Sequence, residues 1–315
     1  PLSSPSPPPG TAMGSSSSYI PIYPYPGGIG IATTSPSPSP SPMAGSVLHG
    51  RYVTQAGSAH QSGPSVLAGT DTFTNRPVAL KRARDRESFE VEIAALRSLQ
   101  SEFVVTMYDC FTQAAPPQLS YIVLELGDHS LSDLIPTETF HDFEKKFIVN
   151  SISHGLEYLH RHGFVHGDLK PANVVRFQGK WKLVDFNTCR KFGAPMASML
   201  SPVYAPPEIM MALGNSHARM PIATSSTDMW GLGLILYELA RRQLLIPNAS
   251  VAFRDISEIL AQRLNPKDFQ DEQLFHLLLK LLSSEPNRRP SASAVLRHAY
   301  LNGGLDTEQY RNILS

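Results

Sequence analysis

The sequence predicts an α+β chain of two unequal lobes, a small β-rich lobe carrying one helix and a larger, mainly helical lobe. Two observations carry this expectation: strand-like runs crowd the stretch before Gly127, and amphipathic helical spacing dominates after it. A third bounds it, since 315 residues at 42% hydrophobic content suffice for a substantial core.

Residues 1–46 are Pro, Ser and Gly in short repeats, including "SPSPSPSP" at 35–42, and no Asp, Glu, Lys or Arg precedes Arg51. Such a segment buries too little apolar surface to offset its ordering entropy, so a flexible tail of polyproline II character is expected. A plain linker is the simpler reading, and a contact with an SH3-type or WW-type domain is the other. From Arg51 the composition turns charged and β-branched. "SVLAGTD" at 65–71 and "RPVALKRA" at 76–83 read as two strands joined by a polar turn around Asn75 and Arg76. "SFEVEIAALRSL" sets Phe89, Glu92, Ile93, Leu96 and Leu99 at helical spacing, and "YIVLEL" at 121–126 reads as a buried strand.

After Gly127, Phe143, Phe147, Ile152, Leu156 and Leu159 mark a long amphipathic helix ending near Gly163. "STDMWGLGLILYELARR" has few polar positions and predicts an almost wholly buried helix, with a capping box between Ser225 and Asp228. The expected organisation is a tail over 1–46, a β-rich lobe over 51–126, a helical lobe over 128–301 and a short extension over 302–315.

Composition excludes several classes. Lys plus Arg equals Asp plus Glu at 27 each, so no charge excess draws the chain to nucleic acid, which is not expected as a partner. Cys110 and Cys189 lie far apart without metal-type spacing, which argues against a disulfide framework or a zinc site and suits a reducing, cytoplasmic compartment. No apolar run reaches the roughly 18 to 20 residues of a membrane span, and no signal-peptide pattern opens the chain. A start at Pro1 rather than methionine points to a fragment.

The chemistry concentrates in "HGDLKPANVV" at 166–175, which places Asp168, Lys170 and Asn173 within six positions. An acid, a cation and an amide so close suit a site that handles a phosphate, a hydroxyl and a metal ion together. Asp168 is placed to orient a substrate hydroxyl, and Lys170 to neutralise charge on a transferred phosphoryl group. Twelve residues beyond Asn173, "KLVDFN" reads as a strand-like run ending in Asp185. Asn173 and Asp185 are hard-oxygen ligands of the kind that hold magnesium against phosphates.

With those segments in order, residues 51–301 resemble a eukaryotic protein kinase domain of the serine/threonine type. The resemblance implies a bilobal fold, ATP and Mg2+ as cofactors and a protein hydroxyl as acceptor. Lys81 in "VALK" matches the lysine that holds the nucleotide's phosphates, and Glu92 its helix partner, although the interval is short and Glu90 is the lesser alternative. "HGDLKPAN" matches the catalytic loop, with Asp168 as base, Lys170 as phosphate contact and Asn173 as metal ligand; "DFN" gives Asp185 as the second ligand. The adenine is implied between Val66 and Ala79 above and Val175 below, with Leu124 as gatekeeper. Backbone groups of Glu125, Leu126 and Gly127 would bind its edge, and Gly63 belongs to the loop over the phosphates. Met107, Leu96, Phe186 and His166 are implied as a stacked spine joining the lobes.

Farther on, "SPVYAPPE" resembles the substrate-binding loop, with Arg289 implied as the buried ion-pair partner of Glu208. Asp228 in "DMWGLG" resembles the aspartate that braces the catalytic loop, and Lys170 with Ser201 resembles serine/threonine rather than tyrosine kinases. Three departures stand out. The glycine-rich loop reads "AGSAHQSGPSV", with Pro64 where a glycine belongs; Asn187 replaces the DFG glycine, asparagine being the side chain most tolerant of left-handed backbone; and Gly167 replaces the usual arginine. The third bears on regulation, and the first two keep a pseudokinase binding module as an alternative. A small-molecule phosphotransferase is a weaker one, because "SPVYAPPE", "DMWGLG" and Arg289 belong to the peptide-binding half of protein kinases.

Overall fold

The computed structural model describes residues 44–58, 65–114, 118–197, 201–215, 217–248 and 256–302. Gly63, expected in the loop over the phosphates, lies outside them, as do nearly all of the tail and of the 302–315 extension.

The N-lobe is a six-stranded antiparallel sheet in the order β1-β2-β3-β4-β6-β5. Its strands are β1 (Val47–Leu48), β2 (Tyr52–Ser58), β3 (Val66–Asp71), β4 (Arg76–Arg82), β5 (Met107–Thr112) and β6 (Ser120–Glu125). β3, β4 and β6 were legible as apolar runs. β1, β2 and β5 were not: "YVTQAGS" and "MYDCFT" lack clean alternation, and β1 exists only through its pairing with β2. Register puts Ala79 opposite both Ala68 and Leu124, and Lys81 opposite both Val66 and Ile122.

One helix, α1 (Arg86–Ser98), crosses this lobe. It starts three residues before Phe89, because the Asp85 carboxylate accepts the Ser88 amide at 2.7 Å and fixes the first turn. Its buried residues are Glu92, Ala95 and Leu96, so a carboxylate sits on the core face beside two apolar side chains.

The C-lobe is built on two long helices, α3 (Asp142–Arg161), which follows the short α2 (Leu131–Leu134), and α5 (Ser225–Arg241), which follows α4 (Pro207–Leu213). Two-residue strands β7 (His129–Ser130), β8 (Phe164–Val165) and β11 (Arg190–Lys191), with β9 (Val174–Phe177) and β10 (Lys180–Leu183), form small sheets around the loop at 166–173. Two expectations are corrected here. Phe143 is 42% exposed, stacked beside His141 in the first turn of α3 rather than facing the core. α5 begins after Thr224 with no side-chain cap, because the Asp228 carboxylate turns away from its own helix end toward the amides of His166 and Gly167. Among the described residues, no helix is long and apolar enough to cross a membrane.

Candidate active site

Strand β4 and helix α1 bring Lys81 and Glu92 together. Lys81 Nζ lies 2.6 Å from Glu92 Oε1 and 2.6 Å from Asp185 Oδ1, so one ammonium joins the sheet, the helix and the segment after β10. Glu90 instead pairs with Arg86 on the exposed face of α1. The short interval in sequence is therefore no obstacle: Glu92 faces inward and Glu90 outward. Burial would lower the Lys81 pKa, but the two carboxylates more than offset it and hold the ammonium up at about 12. Burial raises the Glu92 carboxyl above the usual carboxylate range, with Lys81 opposing. Burial also disfavours charge on Asp185, yet Lys81, Lys170 and His166 hold its carboxyl below its ordinary value.

The strand leading to Asp185 stops at Leu183, two residues earlier than its sequence pattern suggested. Asp185 itself takes the left-handed backbone, at φ 65°, whereas Asn187, the residue expected to tolerate that region, does not occupy it. The bend lets the Phe186 amide donate to Glu92 Oε1 at 3.1 Å and buries the Phe186 ring 5.1 Å from that of His166. Leu96 is buried in the same core and Met107 packs against it. His166 donates from Nε2 to the Val184 carbonyl at 2.9 Å, which suits a packed residue and not a proton shuttle.

Below the cleft, Asp168 Oδ2 lies 2.6 Å from Lys170 Nζ, and Lys170 lies 2.6 Å from Ser201 Oγ. The Ser201 amide donates to Asp168 Oδ1 at 3.1 Å. Asp168, Lys170 and Ser201 thus form one cluster from two segments distant in sequence. Asn173 donates from Nδ2 to the Asp168 carbonyl at 2.8 Å, which turns its amide oxygen away as an available acceptor. Asp185 spends Oδ1 on Lys81 and keeps Oδ2. Two hard oxygens therefore remain, a donor set that fits magnesium. Ala79, Leu124 and Val175 belong to one apolar cluster that runs from the N-lobe sheet through the C-lobe, and Val66 and Leu126 pack against it.

Asp228, fully buried on α5, accepts from the amides of His166 and Gly167 at 2.9 Å each and bonds His160 Nε2 at 2.9 Å. Burial opposes its charge, but the His160 bond and the loop amides keep the carboxyl below the usual range. His160, which sequence reasoning left without a task, is thus part of the brace; nothing in its local pattern singled it out. Arg289, whose side chain is 0% exposed, makes a bidentate pair with Glu208 at 2.7 and 2.8 Å. It also donates to the carbonyls of Ser283 and Ser226 and lies over the Trp230 ring.

Gly167 has φ 87°, and a Cβ there would fall 2.9 Å from the Thr188 carbonyl oxygen and 3.2 Å from Met196 Cε. The arginine it replaces could not fit this backbone, because the segment after Asp185 packs directly on it. Gly167→Arg is expected to lower activity and the melting temperature together, since both the left-handed backbone and the Thr188 contact must give way. A thermal melt beside a transfer assay checks it, and an arginine variant as stable as wild type would refute it. Thr188 is 3% exposed and donates its hydroxyl to the His166 carbonyl, so it is closed to modification. Cys189 is buried, and burial pushes its thiol up to about 12, which leaves it inert.

Comparison with known proteins follows the same outline. The family model described as "Protein kinase domain" matches residues 62–301. The chain is 29% identical over 236 residues to the mitogen-activated protein kinase HOG1 of Kluyveromyces lactis, covering 71% of this chain and 51% of that protein. It is 33% identical over 208 residues to cell division control protein 2 homolog 3 of Trypanosoma brucei brucei, covering 62% of this chain and 61% of that one. It is 24% identical over 325 residues to the stress-activated protein kinase JNK of Drosophila melanogaster, covering 83% of each. The chain thus spans about half of the first of these relatives. A family match over residues 62–301, on a bilobal α+β fold whose ion cluster joins both lobes, makes this chain a member of the protein kinase domain family.

Proposed function

We propose that this chain is an active serine/threonine protein kinase, transferring the γ-phosphoryl group of ATP to the hydroxyl of a protein substrate. The observation that carries the reading is Lys81, held 2.6 Å from both Glu92 and Asp185, which sets the ammonium at the cleft between the lobes. In this reading Lys81 grips the phosphates, and the adenine lies between Val66 and Ala79 on one side and Val175 on the other. Leu124 closes the back of that slot, and the backbone of Glu125, Leu126 and Gly127 meets the adenine edge. Asp185 and Asn173 would hold magnesium, which supplies neutralisation of phosphate charge when bound. Asp168 orients the acceptor hydroxyl and takes its proton, while Lys170 faces the negative charge on the transferred group.

The test is transfer of labelled phosphate to a generic protein, wild type against Asp168→Asn. Loss of the base is expected to cost about 10²- to 10⁴-fold. Equal rates in the two proteins would favour a binding module, and transfer to an aminoglycoside or choline but not to protein would favour a small-molecule phosphotransferase.

Beyond Asp185 the chain is held by backbone bonds as well as by the side-chain bonds of Thr188 and Ser201. β11 pairs with β8, the Met196 amide donates to Pro221 O at 2.9 Å, and the Ala223 amide donates to Ala194 O at 2.7 Å. These bonds hold residues 190–196 in place without a phosphate, and Gly167 offers no cation to receive one. Phosphatase-treated protein, shown unmodified by mass spectrometry, is expected to retain its rate. A large fall would mean that Arg190 or Lys191 has taken over phosphate binding.

A further inference from the structure

The chain passes from the N-lobe sheet to the C-lobe at residues 125–128, where the proposed adenine-edge groups lie. At one end, the Glu125 amide donates to Thr106 O at 2.9 Å and Glu125 pairs with Val78 of β4. At the other, the Asp128 amide donates to Arg176 O at 2.7 Å on β9. Between them the backbone rests on β9: a Cβ at Gly127 would fall 2.4 Å from Val175 Cγ1 and 3.0 Å from Phe177 Cζ.

One side chain bridges this passage. Lys182, on β10 and opposite Val175 in register, places Nζ 2.6 Å from Glu125 Oε2. The two side chains are 11% and 25% exposed, so solvent screens the pair less than a surface pair. The same ammonium lies 5.2 Å from the centre of the Phe177 ring, the ring that also abuts Gly127. Lys182 has no part in phosphoryl transfer as described above, yet it ties the last residue of the N-lobe sheet to the strand pair beneath the adenine.

We propose that Lys182 is a positioning residue for the nucleotide. Through Glu125 it ties the end of β6 to strand β10, the partner of β9, and so sets where the 125–127 backbone groups meet the adenine edge. This inference rests on the phosphotransfer reading. It predicts an effect on binding of the base rather than on the chemical step.

The experiment titrates the full chain by calorimetry with the magnesium complex of a non-hydrolysable ATP analogue, and separately with adenosine. Lys182→Met keeps an apolar stem against Phe177 and removes the charge. It is expected to weaken both ligands by about fivefold, the scale of one partly buried ion pair. Lys182→Arg should restore binding, and Lys182→Met combined with Glu125→Gln should bind no worse than Lys182→Met alone, because the two residues act as a unit. Melting curves identify any variant that fails to fold, in which case Glu125→Gln, which is isosteric, carries the same expectation. Wild-type affinity in Lys182→Met, or additive losses in the double variant, would overturn the inference alone. A wild-type chain that binds no magnesium nucleotide would overturn the phosphotransfer reading and this inference with it.

Discussion

Lys81→Met is expected to abolish phosphoryl transfer, with a fall of about 10²- to 10³-fold or more, while the domain remains folded. Methionine keeps the length and apolar stem of the lysine but loses the ammonium that joins Glu92 and Asp185. A second signature follows from Glu92. Its carboxyl is raised by burial, so the protonated form favours the fold, and that stability is present below the unfolded pKa and lost as pH rises through the folded one. In wild type, Lys81 opposes part of that rise. In the methionine variant only the Phe186 amide does, so its melting temperature should fall behind wild type increasingly as pH rises above the ordinary carboxylate range. Undiminished transfer, or a gap that shrinks as pH rises, would contradict the role given to the cluster.

Arg289→Met is expected to be the most destabilising single change, at about 3–5 kcal/mol in urea unfolding. The substitution leaves the Glu208 carboxylate without its bidentate partner, and it also strips donors from the carbonyls of Ser283 and Ser226 in a site where the arginine side chain is 0% exposed. Adding Glu208→Leu should recover part of the loss, because a buried pair costs most when only one member is removed. Arg289→Lys should fall between, since one ammonium cannot reproduce the planar fork over Trp230. A double variant no more stable than Arg289→Met would place the stabilisation in the two carbonyl bonds instead.

The sequence by itself determined the elements that rest on local pattern. The apolar runs of β3, β4 and β6, the amphipathic spacing of α3 and the near-continuous apolar stretch of α5 each state how much of their surface must be buried. It also supplied the short-range chemistry, because Asp168, Lys170 and Asn173 lie close enough along the chain for one loop to present all three. Only the tertiary structure decided which glutamate meets Lys81. The choice between Glu90 and Glu92 depends on the rotation of α1 against the sheet, which its Asp85 cap and its buried Ala95 and Leu96 fix. Likewise, only packing shows that Asp185 rather than Asn187 bends left-handed and that Asp228 abandons its helix cap for the catalytic-loop amides. Packing alone brings His160 to Asp228 and Lys182 to Glu125. The two-residue strands β1, β7, β8 and β11 belong with them, since each is too short for a periodic signal and exists because a partner strand supplies its hydrogen bonds. Periodicity records how a segment meets solvent and core, whereas contacts such as Lys182 to Glu125 and Lys81 to Asp185 join residues 57 and 104 positions apart, where only the assembled fold brings the side chains within reach.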